Sequence, residues 1–391
     1  MKDVINNALK LEDELIAIRR DLHKIPELGG NLPLTFNYVC SKLDSYGIKY
    51  RKNQNDHGII ADIVGEKSGK TIALRADMDG LETTEETNVP FKSIMQGKMH
   101  ACGHDVHTAT LLIVAKVLNE NRKNLKGTVR LLFQTGEETS TGAKEMISSG
   151  ALDGVSEIYA LHVGNLAGNN LNPGDISIIS GPVSAGKNKF TITVNGVATH
   201  SAFPERGVDP ILISARIVNG LEELTAREIP AGTPAVISLG SLNAGENHNT
   251  IPKKAVIKGS IRCQDPTVRE FLGERVKQVA ENISRAYRGS CDFELIKGSH
   301  TIVNDESLAE SAVNAIKGVL DSGVVTKTSL PLMGSDDFSL YAVKVKSLYF
   351  FLNTNNIEKG ITEPNHSTFF SVDESVLIRG VIAYLAICFN S

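Results

Sequence analysis

The sequence predicts an α/β fold interrupted by an inserted ferredoxin-like α+β domain, and three observations carry this. Short apolar strands alternate with amphipathic helices through residues 1–185 and again through 298–391, the pattern of a sheet with helices on both faces. Between residues 186 and 297 the order becomes strand, helix, strand, strand, helix, strand, the split βαβ arrangement. The chain has 391 residues, more than the roughly 250–300 that one core usually holds. The expected division is a discontinuous larger domain, 1–185 and 298–391, and a smaller one, 186–297.

Taken in order, residues 4–24 read as one amphipathic helix that ends before Pro26. "KTIALRADMDG" is a buried strand over 71–76 that runs into a polar loop, and "HTATLLIVAKVLNENRK" has helical spacing. "GTVRLLFQTGEE" is a second buried strand whose exit carries two glutamates, and "EIYALHVGN" is a third, with His162 near its end. In the inserted domain "KFTITVNG" alternates like a half-exposed strand. A helix follows over 209–227 with Pro210 in its first turn. Then come "PAVISLGSLNAG", "KKAVIKGSIRCQ", a helix over 267–288 and "CDFELIKG". "KSLYFFLN" and "ESVLIRGVIAYLAICF" close the chain as a strand and a helix.

Composition narrows the function classes. A net charge of −4 without a long basic block argues against nucleic acid as a partner. No apolar run approaches the ~18 residues needed to cross a bilayer. The charged, amphipathic start is unlike a signal peptide. Cys40, Cys102, Cys263, Cys291 and Cys388 are odd in number and scattered, which points to reduced thiols and a cytoplasmic protein.

Candidate chemistry gathers at strand exits, where open α/β sheets place their functional groups. Asp77, Asp79, Glu137, Glu138 and His162 all fall at such exits. "HACGHDVH" adds Cys102 and His104, two residues apart, donors suited to zinc and related metals. His100 and His107 in the same stretch read as supporting or helix residues. Each remaining piece is ambiguous alone. "EE" is also an ordinary acidic start to a helix, and "RADMDG" is also a polar turn. His162 and His366 suit a core or a surface equally well. His200 in "GVATHSAFP" reads as a surface histidine between a strand and a helix, and Asn249 in "NTIP" and Arg262 in "GSIRC" read as surface groups or as a carboxylate grip.

Together, "RADMDGL", "MHACGHDVHTA", "FQTGEE", "ALHV", "THSAFPERGVDP", "NTIP", "GSDDFS" and "NHSTFF" resemble the M20 metallopeptidase family in order and spacing. The similarity is to its amidohydrolase branch of hippurate hydrolases, N-acyl-amino-acid deacylases and auxin-conjugate hydrolases, and it runs from "RRDLHKIPELG" to the C-terminus. The resemblance implies a two-metal, zinc-peptidase-like catalytic domain with an inserted lid and dimerisation domain. It implies Cys102, His104, Glu138, His162 and His366 as ligands of two divalent ions, manganese, zinc, cobalt or nickel. Glu137 would be the general base and later the acid, with Asp79 orienting the site. His200 would stabilise the oxyanion, often across a dimer, and Asn249 and Arg262 would bind the substrate carboxylate. The implied reaction is hydrolysis of N-acyl-L-amino acids by a cytoplasmic homodimer. The alternatives are a di- or aminopeptidase, or a silent relative that only binds metal or ligand. Thr135 and Gly136 stand where the branch usually has Pro-Ala, a departure that bears on substrate preference more than on chemistry.

Overall fold

The expected single helix over 4–24 is two, α1 (Lys2–Leu9) and α2 (Glu12–His23). Glu12, Asp13 and Glu14 follow the break. Three successive carboxylates are favoured at a helix N-terminus and gain nothing inside a helix, so a new helix starts there. This computed structural model describes residues 1–53, 57–164, 171–320, 323–326 and 332–391.

The chain divides into two units. The larger comprises Met1–Val183, Ile302–Leu332 and Asp336–Ser391. After α3 (Pro33–Ser45) it contains β1 (Tyr50–Lys52), β2 (Ile59–Val64), β3 (Lys67–Asp77), α4 (His104–Glu120), β4 (Lys126–Gln134), α5 (Gly142–Ser148), β5 (Val155–Val163), β6 (Ile176–Ser177) and β7 (Gly181–Pro182). The smaller unit, Ser184–Thr301 with Met333–Ser335, holds β8 (Gly186–Asn195), β9 (Thr199–His200), α6 (Pro210–Arg227), β10 (Ala235–Ala244), β11 (Thr250–Ile251), β12 (Lys254–Cys263), α7 (Pro266–Ala286) and β13 (Ser290–Lys297). The larger unit resumes with β14 (Val303–Asn304), α8 (Glu306–Lys317), β15 (Val324–Val325), α9 (Ser339–Ala342), β16 (Lys346–Leu352) and α10 (Ile378–Asn390).

The larger unit is built on an eight-stranded sheet in the order β1-β2-β4-β3-β5-β16-β6-β15. Its centre, β4-β3-β5-β16, is parallel. Parallel strands need crossover connections and bury both faces, so these strands are almost continuously apolar. Leu111, Leu112, Ile113 and Val114 of α4 are all fully buried. A helix apolar on every side belongs inside the core, and α4 packs against β3, α2 and α10. Parallel order brings the C-terminal ends of β3, β4, β5 and β16 side by side, and Asp77, Asp79, Glu137, Glu138 and His162 stand at or just past them.

In the smaller unit the antiparallel sheet runs β10-β12-β8-β13. One face buries Phe190, Ile192, Val194, Ile257 and Ile261 against Ile213, Ile217, Leu272 and Val276 of the two helices. Asp209 and Asp265 cap those helices, each accepting two backbone N–H bonds, with Pro210 and Pro266 in the first turn. The other face carries the alternate residues, among them Lys187, Lys189, Ser260 and Arg262. Among the described residues no helix is long and apolar enough to cross a membrane.

Candidate metal centre

Cys102, His104 and His162 each place a ligand atom within 4.8 Å of the other two, and so do Cys102, Glu138 and His366. His104, Glu137 and Glu138 form a third such group. The local fold explains the convergence. Gly103 sits at φ +87°, and a Cβ there would lie 2.5 Å from the Val163 side chain. Only glycine tolerates both demands. The chain therefore turns sharply between the Cys102 thiol and the His104 imidazole, and both face one space.

Hydrogen bonds assign the imidazole tautomers. His104 Nδ1 donates to the Asp79 carbonyl at 2.7 Å, so Nε2 is the nitrogen turned toward the other donors. That Nε2 is buried and has no hydrogen-bond partner among the described residues. His162 Nδ1 donates to the Val163 carbonyl at 2.8 Å, and its Nε2 lies 3.5 Å from Cys102 Sγ. A second-atom hydrogen bond that fixes the free nitrogen is how ligating histidines are oriented. Burial, helped by His107, holds His162 well below the usual imidazole range, so its lone pair is available. Burial acts the same way on His104, but Asp77 and Cys102 override it and hold that group well above its usual range. The electrostatics at His104 Nε2 therefore favour positive charge.

Glu138 completes the set. Its Oε1 is buried without a hydrogen-bond partner among the described residues, and burial pushes its carboxyl up to about 7. A thiol, two imidazole Nε2 atoms and an unpartnered carboxylate oxygen meet here, and the charges around His104 favour a cation at its Nε2. That mixed donor set fits a divalent transition metal. His366 reaches the group from the far end of the chain, 3.6 Å from Glu138 Oε1, with 56% of its side chain exposed. Its φ of +73° is strained for a non-glycine residue. The strain is held by its N–H bond to the Ala101 carbonyl, 2.7 Å, and by Asn365, whose amide donates to the Cys102 and Val163 carbonyls at 3.1 Å.

Asp79 touches this group at His104, whose Nδ1 lies 3.5 Å from its Oδ1. Its two carboxylate oxygens accept from the backbone N–H groups of Glu137 and Glu138, each at 3.1 Å. One buried carboxylate thus sets both glutamates. Glu137 is itself buried, and burial followed by the charges of Asp336 and Asp337 holds its carboxyl well above the usual range.

Behind Glu137 lies a charge cluster that motif reading did not assign. Arg75, 2% exposed, donates to Asp77 (2.5 Å), Asp336 (3.1 Å), Asp337 (2.9 Å) and Gln134 (3.0 Å). Asp337 also accepts from Gln134 and from the Ala143 N–H, and Tyr349 donates to Asp336. His107 donates to Asp77 at 2.5 Å and accepts from the Val163 N–H at 3.0 Å, so both its nitrogens are engaged. The signals were the "RAD" and "SDD" triplets, whose partners are far apart in sequence. His100 is buried, and burial pushes it down to about 3, which keeps it neutral. The "RRDLH" motif acts on α4: Arg19 Nε and His23 Nδ1 lie 2.8 and 2.7 Å from Asp105, next to His104.

The structure places His200, Asn249 and Arg262 in the smaller unit. His200 Nδ1 accepts from the Ala202 N–H at 3.1 Å, so its proton is on Nε2, free to donate. β9 pairs with β11, and the Ser201 N–H bonds the Asn249 carbonyl at 3.0 Å, so His200 and Asn249 are neighbours. This ribbon continues the β8–β12 pairing past its Asn195–Lys254 end, whereas Arg262 is at the other end, opposite Lys187. Arg262 is eight steps along β12 from Lys254, about 26 Å at ~3.3 Å per residue.

The family described as peptidase family M20/M25/M40 matches residues 73–390. The chain is 36% identical to thermostable carboxypeptidase 2 of Saccharolobus solfataricus over 99% of its own length and 98% of that protein's. It is 35% identical to N-acetylcysteine deacetylase of Bacillus subtilis over 93% of each. Among solved structures it resembles the B. subtilis YXEP protein, described as a dinuclear metal-binding peptidase of the M20 family. That likeness has a TM-score of 0.85 and 32% identity over 97% of this chain and 98% of that one.

Proposed function

The chain belongs to peptidase family M20/M25/M40 and is a metal-dependent hydrolase, and on that premise we propose that it cleaves the amide bond of N-acyl-L-amino acids to a carboxylic acid and a free amino acid. The observation that carries this reading is the Glu137–Glu138 turn clamped by Asp79. It sets one carboxylate among the ligand atoms and a second, proton-hungry one beside them. A protein that only bound metal would have no use for the second.

In this reading Cys102, His104, Glu138, His162 and His366 hold two divalent ions drawn from manganese, zinc, cobalt and nickel. When bound, those ions would supply Lewis-acid polarisation of the acyl carbonyl and a more acidic attacking water. Glu137 takes the proton of that water on its carboxylate and returns it to the leaving amine. His200 donates its Nε2 proton to the developing oxyanion. Arg262 holds the free α-carboxylate of the substrate, and Asn249, which neighbours His200, assists from a second copy. Five free cysteines suit a reducing, cytoplasmic setting.

The test is release of free amine from a pool of N-acetyl and N-benzoyl amino acids by chelator-stripped protein. Release is expected on adding manganese, cobalt, nickel or zinc, and none without metal. No release with any metal, from folded protein that binds the metal, would reject the deacylase reading. The similarity to a carboxypeptidase favours a second reading, removal of a C-terminal residue from a short peptide. It needs the same carboxylate grip, so a peptide panel belongs in the assay.

We further propose a homodimer formed through the smaller unit. β10 is an edge strand of ten residues, "AVISLGSLNA", with no charge or proline to blunt it. Val236 and Leu242 on it, and Ile211 and Leu212 on α6, are exposed. Unprotected edges of this kind pair with another chain. A second copy also answers the separation within β12, because a small substrate gripped by Arg262 is out of reach of the same copy's His200. Light scattering is expected to give twice the chain mass for the wild type. Val236→Lys with Leu242→Lys should give the single mass, and a monomeric wild type would end the proposal.

A further inference from the structure

Lys187 and Arg262 are directly opposite one another on β8 and β12. Their neighbours Gly186, Asn188, Ile261 and Cys263 are buried on the helix side of the sheet, so both cations project from the open face. Opposed residues of an antiparallel pair hold their Cβ atoms about 4.5–5.5 Å apart, and like charges placed so are destabilising. Opposed cations normally share a carboxylate. Among the described residues neither of these forms a salt bridge; Arg262 has one protein bond, Nη1 to the Met333 carbonyl at 2.9 Å, and its other donors are uncommitted. Both groups are half-buried. Burial, then Arg262, then Lys189 push Lys187 below its ordinary range, with no acidic group offsetting them. Burial alone does the same to Arg262.

We propose that Lys187 and Arg262 form a two-cation site for a dicarboxylate, so that the preferred substrates are N-acyl derivatives of acidic amino acids. The proposal rests on the reading of Arg262 as the α-carboxylate grip. With the α-carboxylate on the Arg262 fork, a side-chain carboxylate whose carbon is three or four bonds away falls at the distance of the opposed residue. Lys187 supplies a point charge there, matched to an acid and not to the isosteric amide. The pair is separate from the metal-ligand set and from Glu137, so it selects the substrate without taking part in proton transfer.

The test compares N-acetyl-L-glutamate with N-acetyl-L-glutamine on the full metal-loaded chain. The wild type should prefer the glutamate derivative. In Lys187→Gln the ratio of the two kcat/KM values should fall about tenfold or more, the scale of one charge-assisted hydrogen bond, mainly through KM. Lys187→Arg should restore most of it. Turnover of neutral N-acyl amino acids with a ratio near one, or a ratio unmoved by Lys187→Gln, overturns the proposal and leaves the deacylase reading intact. If no N-acyl amino acid is hydrolysed, calorimetric titration with glutarate and butyrate decides. Tighter binding of glutarate that is lost in Lys187→Gln supports the pair independently of the reaction, and equal binding of the two overturns it.

Discussion

Glu137→Gln should lower kcat by about 10²–10⁴, the usual contribution of a positioned general base, while bound metal stays at the wild-type level. Glu137 is next to a ligand and is not proposed as one. Its backbone N–H is already tied to Asp79, and Gln keeps that N–H. The stability effect distinguishes this variant from general damage. Burial and the nearby charges of Asp336, Asp337 and Glu138 raise the folded-state affinity of Glu137 for a proton. A carboxyl whose folded pKa lies above its unfolded value, about 4.3, costs stability as pH rises through and beyond that value. Gln carries no such cost. The variant should therefore unfold at a temperature equal to or above that of the wild type near pH 7.5, with the difference vanishing below about pH 4. Kinetics, metal analysis and thermal unfolding at the two pH values check all three parts. Retained turnover would sink the assignment of the base, and metal loss in step with activity would recast Glu137 as a ligand.

The parts of this protein that were legible in sequence are those in which chemistry and position coincide along the chain. Parallel strands announce themselves as apolar runs, and their exits mark where side chains can meet, so Asp79, Glu138 and His162 stand out in separate segments, while Cys102 stands out through the histidines around it. Residues 4–24 carry the spacing of one helix because the amphipathic period continues across the break at Lys10 and Leu11. The deciding signal was the acidic run Glu12–Glu14, which is an end signal, not a periodic one. The roles of Arg75, Asp336 and Asp337 were hidden for another reason. Each lies in a plausible polar turn or strand end, and only the fold shows three carboxylates converging on one buried guanidinium. Asp79 was selected by motif, but its action through two backbone N–H groups has no sequence signature, because the acceptors it satisfies belong to every residue.

Arg75→Met should be the most damaging single substitution outside the ligand set. Arg75 and its acids are buried, and breaking a buried ion pair by removing one partner costs about 3–5 kcal/mol because an unpaired charge is left behind. Here three carboxylates lose their common cation at once. The pH dependence between 7.5 and 5 should steepen. In the wild type Arg75 holds Asp77 well below the usual carboxylate range against burial. That stabilisation is complete above the unfolded value of about 3.9 and is lost as pH falls through the folded one. Asp337, which burial raises to about 7 even with Arg75 opposing, works in the other direction. Without Arg75 burial acts on Asp77 and Asp337 with its largest opponent removed, so the variant should gain stability relative to the wild type as pH falls from 7.5 toward 5. Urea midpoints followed by circular dichroism at both values should therefore converge for wild type and variant at the lower pH. Adding Asp337→Asn to Arg75→Met should recover part of the loss at pH 7.5 by removing one of the stranded charges. An equal loss at both pH values, with no rescue, would mean that Arg75 supports the fold by packing alone. The same cluster sets the charge seen by Glu137, so an electrostatic role for Arg75 links the stability of the sheet ends to the basicity of the residue proposed to move the proton.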